Sequence, residues 1–208
     1  MSRVQAFLRN KVFLGVLLAA GFAYVTFFCF LENPLLEENT ASLIGVRHPA
    51  LFFVWNLLTG AAFFFNCRAM YATWQCKNRL GRIAIWAALC AVPVIYFIHG
   101  QWNGETVVFP GVTKAVHWTA TIVFMVGNAA ALAIGFFHAR KQSPRFFNRL
   151  LALVIALVVA LLVVFFTIGK SGLFEAAPIW VVYVMLFLVN CTGRRPLPES
   201  QPKQEEAS

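Results

Sequence analysis

The chain has 208 residues, of which 60% are hydrophobic and 12% charged, with 22 Phe and no Asp. A soluble domain carries roughly 45–50% apolar and about 25% charged residues, so a water-soluble fold is excluded and lipid must supply the missing solvent. The net charge of +9 does not point to nucleic acid, because the basic residues cluster at the ends of apolar runs, where they set topology and meet anionic headgroups.

In chain order, the apolar runs span about 11–31, 49–74, 83–99, 115–138, 150–168 and 176–191. Most reach the ~20 residues that cross a ~30 Å hydrocarbon core, and the third and sixth are at the short end of the usable range. Backbone groups in lipid have to be satisfied within the segment, so each run predicts a helix. The first run is longer than a signal-peptide core of roughly 7–15 residues, and we read it as a retained helix. Residues 194–208 are polar and proline-bearing, which predicts a disordered tail behind a transmembrane domain of residues 1–193.

Lysine and arginine set the orientation. Alternate connections and the two ends hold 14 of the 17, from Arg3 and Lys11 through Arg82, Arg140, Lys141 and Arg149 to Lys203. The opposite set holds only Arg47, Lys114 and Lys170. This bias predicts both termini in the cytoplasm. Five of the eight glutamates (Glu32, Glu37, Glu38, Glu105 and Glu175) fall on the outer side. The expected fold is therefore all-α, a polytopic bundle of six transmembrane helices in a cell membrane, with a bacterial inner membrane as the expected setting.

Small residues give the first run a ridge at Gly15, Ala19 and Ala23, and the fifth a ridge at Ala152, Ala156 and Ala160, a pattern that lets helix backbones approach closely. Apart from its ends the fifth run has no polar residue before Thr167, which predicts that most of its surface faces lipid. In the second run Asn56, Thr59, Phe63 and Asn66 share one helical face. In the fourth, His117, Thr121 and Asn128 do the same, continued by Gly135. Polar side chains in a membrane turn inward, so the two stripes suggest a polar seam between these helices.

The chemistry-bearing residues gather on the outer side. His48, His99 and His117 stand at outer helix ends, near Arg47, Lys114, Lys170 and Glu175. Glu175 also suits the positive end of the sixth helix, and Lys114 and Lys170 suit snorkelling from helix ends. Histidine with a carboxylate can act as acid and base near neutral pH or hold a metal. The cations suit a phosphate-bearing headgroup. No zinc-protease, nucleophile-elbow or phosphate-loop motif is present. No histidine or lysine lies mid-helix for haem or retinal, and no cofactor or metal is expected. The five cysteines show no C-x-x-C spacing, and no disulfide is expected.

Three stretches carry a resemblance: LIGVRHPALFFVWNLLTG at 43–60, the segment from 114 beginning KAVHWTATIVF, and GLFEAAPIW at 172–180. In order and spacing they resemble a six-helix superfamily comprising the FGF-receptor-activating-protein and damage-regulated autophagy modulator proteins and their bacterial relatives. The matching positions are Gly45, Pro49, Asn56, His117, Gly172 and Glu175. The resemblance implies a six-helix bundle and, from some eukaryotic members, a role in lipid handling. Pro110-Gly111 followed by His117 is similar to the androgen-induced membrane hydrolases, which implies a threonine nucleophile in the second helix. That place holds Phe53 here, and the nearest hydroxyl is Thr59.

Two uses of the outer cluster follow. One is an outer-side pocket between helices for a lipid or small amphiphile, with Arg47, His48, Asn56, His99, Lys114 and Lys170 as binding candidates. The other is an intramembrane enzyme acting on a lipid at the outer leaflet, with His117, Glu175 and Thr59 as catalytic candidates. Membrane lipids are the expected partners, with a second copy or another membrane protein as a further possibility. A cysteine placed at Lys141 in a cysteine-free background should react with a membrane-impermeant maleimide only after the cell is permeabilised. Labelling in intact cells would reverse the orientation.

Overall fold

The structure is a computed structural model that describes residues 10–36, 39–98, 100–102, 107–108, 111–167, 169 and 171–192. Six helices are long and apolar enough to cross a membrane: α1 (Lys11–Cys29), α3 (Pro49–Thr73), α4 (Arg79–Phe97), α5 (Thr113–Ala139), α6 (Pro144–Thr167) and α7 (Gly172–Asn190). They make this a multi-pass membrane protein. A short helix, α2 (Ala41–Arg47), precedes α3, a helix that the hydropathy pattern does not reveal because it is too short to span. Between α4 and α5, β1 (Gln101–Trp102) and β2 (Val107–Val108) pair antiparallel, Gln101 opposite Val108. The expected tail, 194–208, lies outside the described residues.

Local chemistry starts these helices where they start. The Asn10 side chain accepts from the Phe13 amide (3.1 Å), Asn78 from Gly81 (3.0 Å) and Ser171 from Phe174 (3.2 Å). Each satisfies one of the amides that the first helical turn leaves open. Pro49 opens α3, where its missing N–H costs nothing.

The helices alternate in direction, giving the bundle two ends that we name by residues at them. At the His117 end, Phe28, Ile44, Phe52 and Ile95 form a buried cluster. At the Lys141 end, Trp74, Phe136 and Phe147 form another, with Trp74 and Phe147 ring centroids 4.7 Å apart. The α4–α5 hairpin has the most extensive helix contact, and α1 lies against both α3 and α7. As the composition of the fifth run predicts, α6 is mostly lipid-facing: only 11% of its most apolar window is buried.

The polar stripes resolve differently from a seam between α3 and α5. Asn56, Thr59, Asn66, His117 and Asn128 are all buried. However, the amides of Asn56, Asn66 and Asn128 each donate to the carbonyl four residues back on their own helix, at 2.9–3.0 Å. Asn66 finds its interhelical partner on α7, where Asn190 Nδ2 donates to both the Asn66 carbonyl (3.0 Å) and Oδ1 (2.9 Å). A direct polar tie between α3 and α5 comes from Tyr71, whose hydroxyl donates to the Ala131 carbonyl at 2.8 Å. Self-bonding within a helix is open to any Asn in lipid, so a shared stripe does not by itself select a partner helix.

The small-residue ridges also point elsewhere. Gly15 of the α1 ridge does lie against α7, where a Cβ would meet Phe187 at 3.8 Å, but Ala19 and Ala23, and Ala152, Ala156 and Ala160 on α6, are exposed on the single chain. The close approach on α1 uses Gly21, where a Cβ would come within 2.9 Å of the Tyr183 hydroxyl. Gly21→Leu should therefore cost more than about 1–3 kcal/mol through overpacking, whereas Ala23→Leu should change stability by less than about 0.5 kcal/mol. Denaturant titration in bicelles measures both. Equal effects would contradict this packing.

Candidate functional site

Two places in the bundle gather chemistry, one at each end. At the His117 end the organising element is α2. Its seven residues form too little helix to be stable alone, and three other elements hold it. Gly45 lies so close to the Phe52 ring of α3 that any side chain there would collide with it. The Glu175 carboxylate accepts from the Ala41 amide at 2.7 Å. Glu175 lies in the first turn of α7, so one carboxylate faces the positive ends of two helices, its own and α2.

The next residue makes the second tie. Ser42 Oγ stands 3.0 Å from His117 Nε2, and His117 Nδ1 stands 2.8 Å from the Ile98 carbonyl oxygen. A carbonyl can only accept, so Nδ1 carries a proton. In the neutral ring Nε2 is then the acceptor, facing the Ser42 hydroxyl. His117 is 4% exposed, and Ser42 is half-buried at the edge of the cluster. The β1 strand packs on α2 beside them.

The far end of α2 is held by a third network. Arg47 pairs with Glu32 at 2.6 Å and donates to Asn39 Oδ1 at 2.8 Å, while Asn39 Nδ2 donates to the Asn33 carbonyl at 2.9 Å. His48 Nε2 is 3.6 Å from the other Glu32 oxygen. An anion at the N-terminus of α2 and a cation in its last turn both match the helix dipole.

The residues expected to form one site thus divide. His117 and Glu175 converge on adjacent residues of α2. Arg47 and His48 share Glu32 a helix-length away. Lys114 is exposed, one turn before His117. Asn56 is buried and bonded to its own helix. Thr59 is 1% exposed, and its hydroxyl faces the buried hydroxyl of Tyr183 on α7. It lies ten residues into α3, about 15 Å down the axis, whereas His117 is about 6 Å into α5. The hydroxyl beside His117 is that of Ser42. His99 and Lys170 lie outside the described residues. A void at this end, lined by Val25, Phe28, Cys29, Ile44, Trp55 and their neighbours, holds only about 10 Å³, roughly one water. None of Arg47, His48, Asn56 or Lys114 lines it.

The Lys141 end has the larger opening. A groove of about 470 Å³ runs between the end of α5 and the start of α6. Ala133, Ile134, Phe137 and Leu151 give it apolar walls, and Asn78, His138 and Lys141 a polar rim. Arg140 lies over the Phe137 ring, 3.7 Å from its centroid, a cation–π contact that holds a further positive charge beside the groove. Arg145 and Arg149 follow in the first two turns of α6. Among the described residues, the two acids, Glu32 and Glu175, both stand at the opposite end. The sequence pattern marks this end as basic but cannot show a groove, which depends on how far α5 and α6 splay.

All five cysteines are free thiols. In the loop before α4, burial pushes the Cys76 thiol up, against a smaller lowering by a backbone hydrogen bond at Asn78. It therefore stays protonated and unreactive at neutral pH. Among the described residues no three His, Cys, Asp or Glu side chains lie close enough to hold a metal ion.

No family model matches the chain, and neither does any curated protein or solved structure compared with it. The functional reading rests on the geometry.

A hydrogen bond to a charged group is worth about 1.5–3 kcal/mol, and about 1.4 kcal/mol is a factor of ten. Glu175→Ala should thus speed amide hydrogen exchange across 41–47 at least about tenfold, with Glu175→Gln recovering part of the protection. Unchanged exchange in the alanine variant would show that the carboxylate does not hold α2.

Proposed function

We propose that this protein is a membrane-embedded binder of anionic amphiphiles, and that the groove at the Lys141 end receives a phospholipid from the cytoplasmic leaflet. The observation that carries this reading is the groove itself. Its volume of about 470 Å³ falls within the roughly 300–1,000 Å³ typical of ligand sites, and its two kinds of lining match the two parts of a lipid. Alanine, isoleucine, leucine and phenylalanine side chains suit an acyl chain, while Lys141, His138 and Asn78 offer donors to a phosphate. Arg140, Arg145 and Arg149 add positive charge, and among the described residues both acids, Glu32 and Glu175, stand at the opposite end. Basic pockets between transmembrane helices on the cytoplasmic side are suited to anionic headgroups.

The lysine and arginine bias supports placing this end in the cytoplasm, where the anionic lipid of the inner leaflet meets it. The resemblance to a superfamily with members in lipid handling agrees in kind. This reading keeps the ligand class expected from the sequence and moves its site from the outer cluster to the opposite boundary. At the His117 end the described side chains bond mainly to one another around α2.

Native mass spectrometry of the full chain released from nanodiscs tests it. Nanodiscs mixing phosphatidylglycerol and phosphatidylcholine in equal parts should yield protein carrying phosphatidylglycerol in preference. A basic side chain near the surface contributes about 1 kcal/mol to anionic lipid binding, so Lys141→Glu should reduce that adduct about fivefold or more. Equal retention of the two lipids, or an adduct indifferent to the charge at position 141, would refute the proposal.

A further inference from the structure

The Ser42–His117 pair has the arrangement of an activated nucleophile. Such a site needs a hydroxyl within hydrogen-bond reach of a base, and a third group that orients the base. Ser42 Oγ is 3.0 Å from His117 Nε2, and the Ile98 carbonyl holds His117 Nδ1 at 2.8 Å. The carbonyl selects the ring tautomer that leaves Nε2 free of hydrogen, as the carboxylate of a catalytic triad does. The three groups come from α2, α5 and the end of α4, so the constellation is tertiary and invisible as a motif. The surroundings are apolar on the lipid side: Phe97, next to Ile98, is 73% exposed, and Val112 and Val116 are exposed beside His117. Lys114 stands exposed one helical turn before His117.

We infer that Ser42 and His117 form a nucleophile–base pair that hydrolyses a carboxylic ester of an amphiphile at the His117 end of the bundle. Ser42 Oγ attacks the ester carbonyl carbon as its proton passes to His117 Nε2. The ester C–O bond breaks, and the leaving alcohol takes that proton from Nε2. Water then attacks the acylated Ser42 and gives a proton to Nε2. The bond from the acyl carbon to Oγ breaks, Oγ recovers the proton, and a carboxylic acid leaves. The exposed Phe97, Val112 and Val116 suit the acyl chain, which reaches the serine along the bilayer boundary. This activity lies at the opposite end from the lipid groove and does not depend on it.

The test uses the full chain in nanodiscs and an alkyl fluorophosphonate, which forms a stable adduct with activated serines. Intact-protein mass spectrometry should find one adduct, mapping to the peptide that contains Ser42. General base catalysis contributes about 10²–10⁴-fold, so His117→Gln should slow the labelling at least about a hundredfold, while Thr59→Ala should leave it unchanged. Hydrolysis of a medium-chain nitrophenyl ester should fall in parallel. Ser42→Ala, its fold checked by melting temperature, should abolish both the adduct and the ester cleavage; Ser42→Cys keeps a similar side chain on α2 and should lose the fluorophosphonate adduct, while its thiol beside His117 can still attack the activated ester. No adduct at Ser42 in the folded wild-type chain, labelling at the same rate without His117, or ester cleavage that survives in folded Ser42→Ala would each overturn the inference.

Discussion

Hydrocarbon offers no hydrogen bonds to a peptide group, and that constraint shapes the molecule. Within the bilayer each N–H and C=O has to find its partner inside the protein, which is why six segments are uninterrupted helices and why their buried asparagines fold back onto their own carbonyls. Where the chain leaves the core, the same demand falls on side chains. Asn10, Asn78 and Ser171 meet it locally at the starts of α1, α4 and α7. The short helix α2 has no local cap of this kind, and its first amide is satisfied by a carboxylate from the far end of the sequence.

That borrowed bond gives the His117 end its geometry. Glu175 fixes Ala41, and this in turn sets Ser42 against His117, whose other nitrogen is held by Ile98. Arg47 and Glu32 hold the opposite end of α2. Three polar ties around a helix of seven residues make it a fixed part of the bundle, and they bring α1, α4, α5 and α7 into register at one boundary. The other boundary is organised by aromatic packing of Trp74, Phe136 and Phe147. There the described charged residues are all basic.

The two ends therefore differ in how their charge is used. At the His117 end, acids and bases are present together and largely consume one another in holding structure. At the Lys141 end, the described charges around the open groove are of one sign. The described basic residues there have no described acid beside them, which is why the proposed ligand is an anion.

Six spans, their approximate limits and the lipid-facing character of α6 were legible in the sequence, because hydropathy is a sum over neighbouring residues and needs no knowledge of the fold. Charge bias likewise distinguished the two ends. That His117 and Glu175 lie at the same end of the bundle could be read from their positions at helix starts. Their real partners could not: Glu175 meets a residue 134 positions away and His117 one 75 positions away. No motif in the sequence marks Ser42, nothing there pairs Asn66 with Asn190, and nothing makes His138 the rim of a groove. Those choices belong to the tertiary structure. Which helix faces which is decided by packing of whole surfaces, such as Gly21 against Tyr183 and Gly45 against Phe52, and a hydrogen bond across that packing depends on distances the linear pattern does not contain.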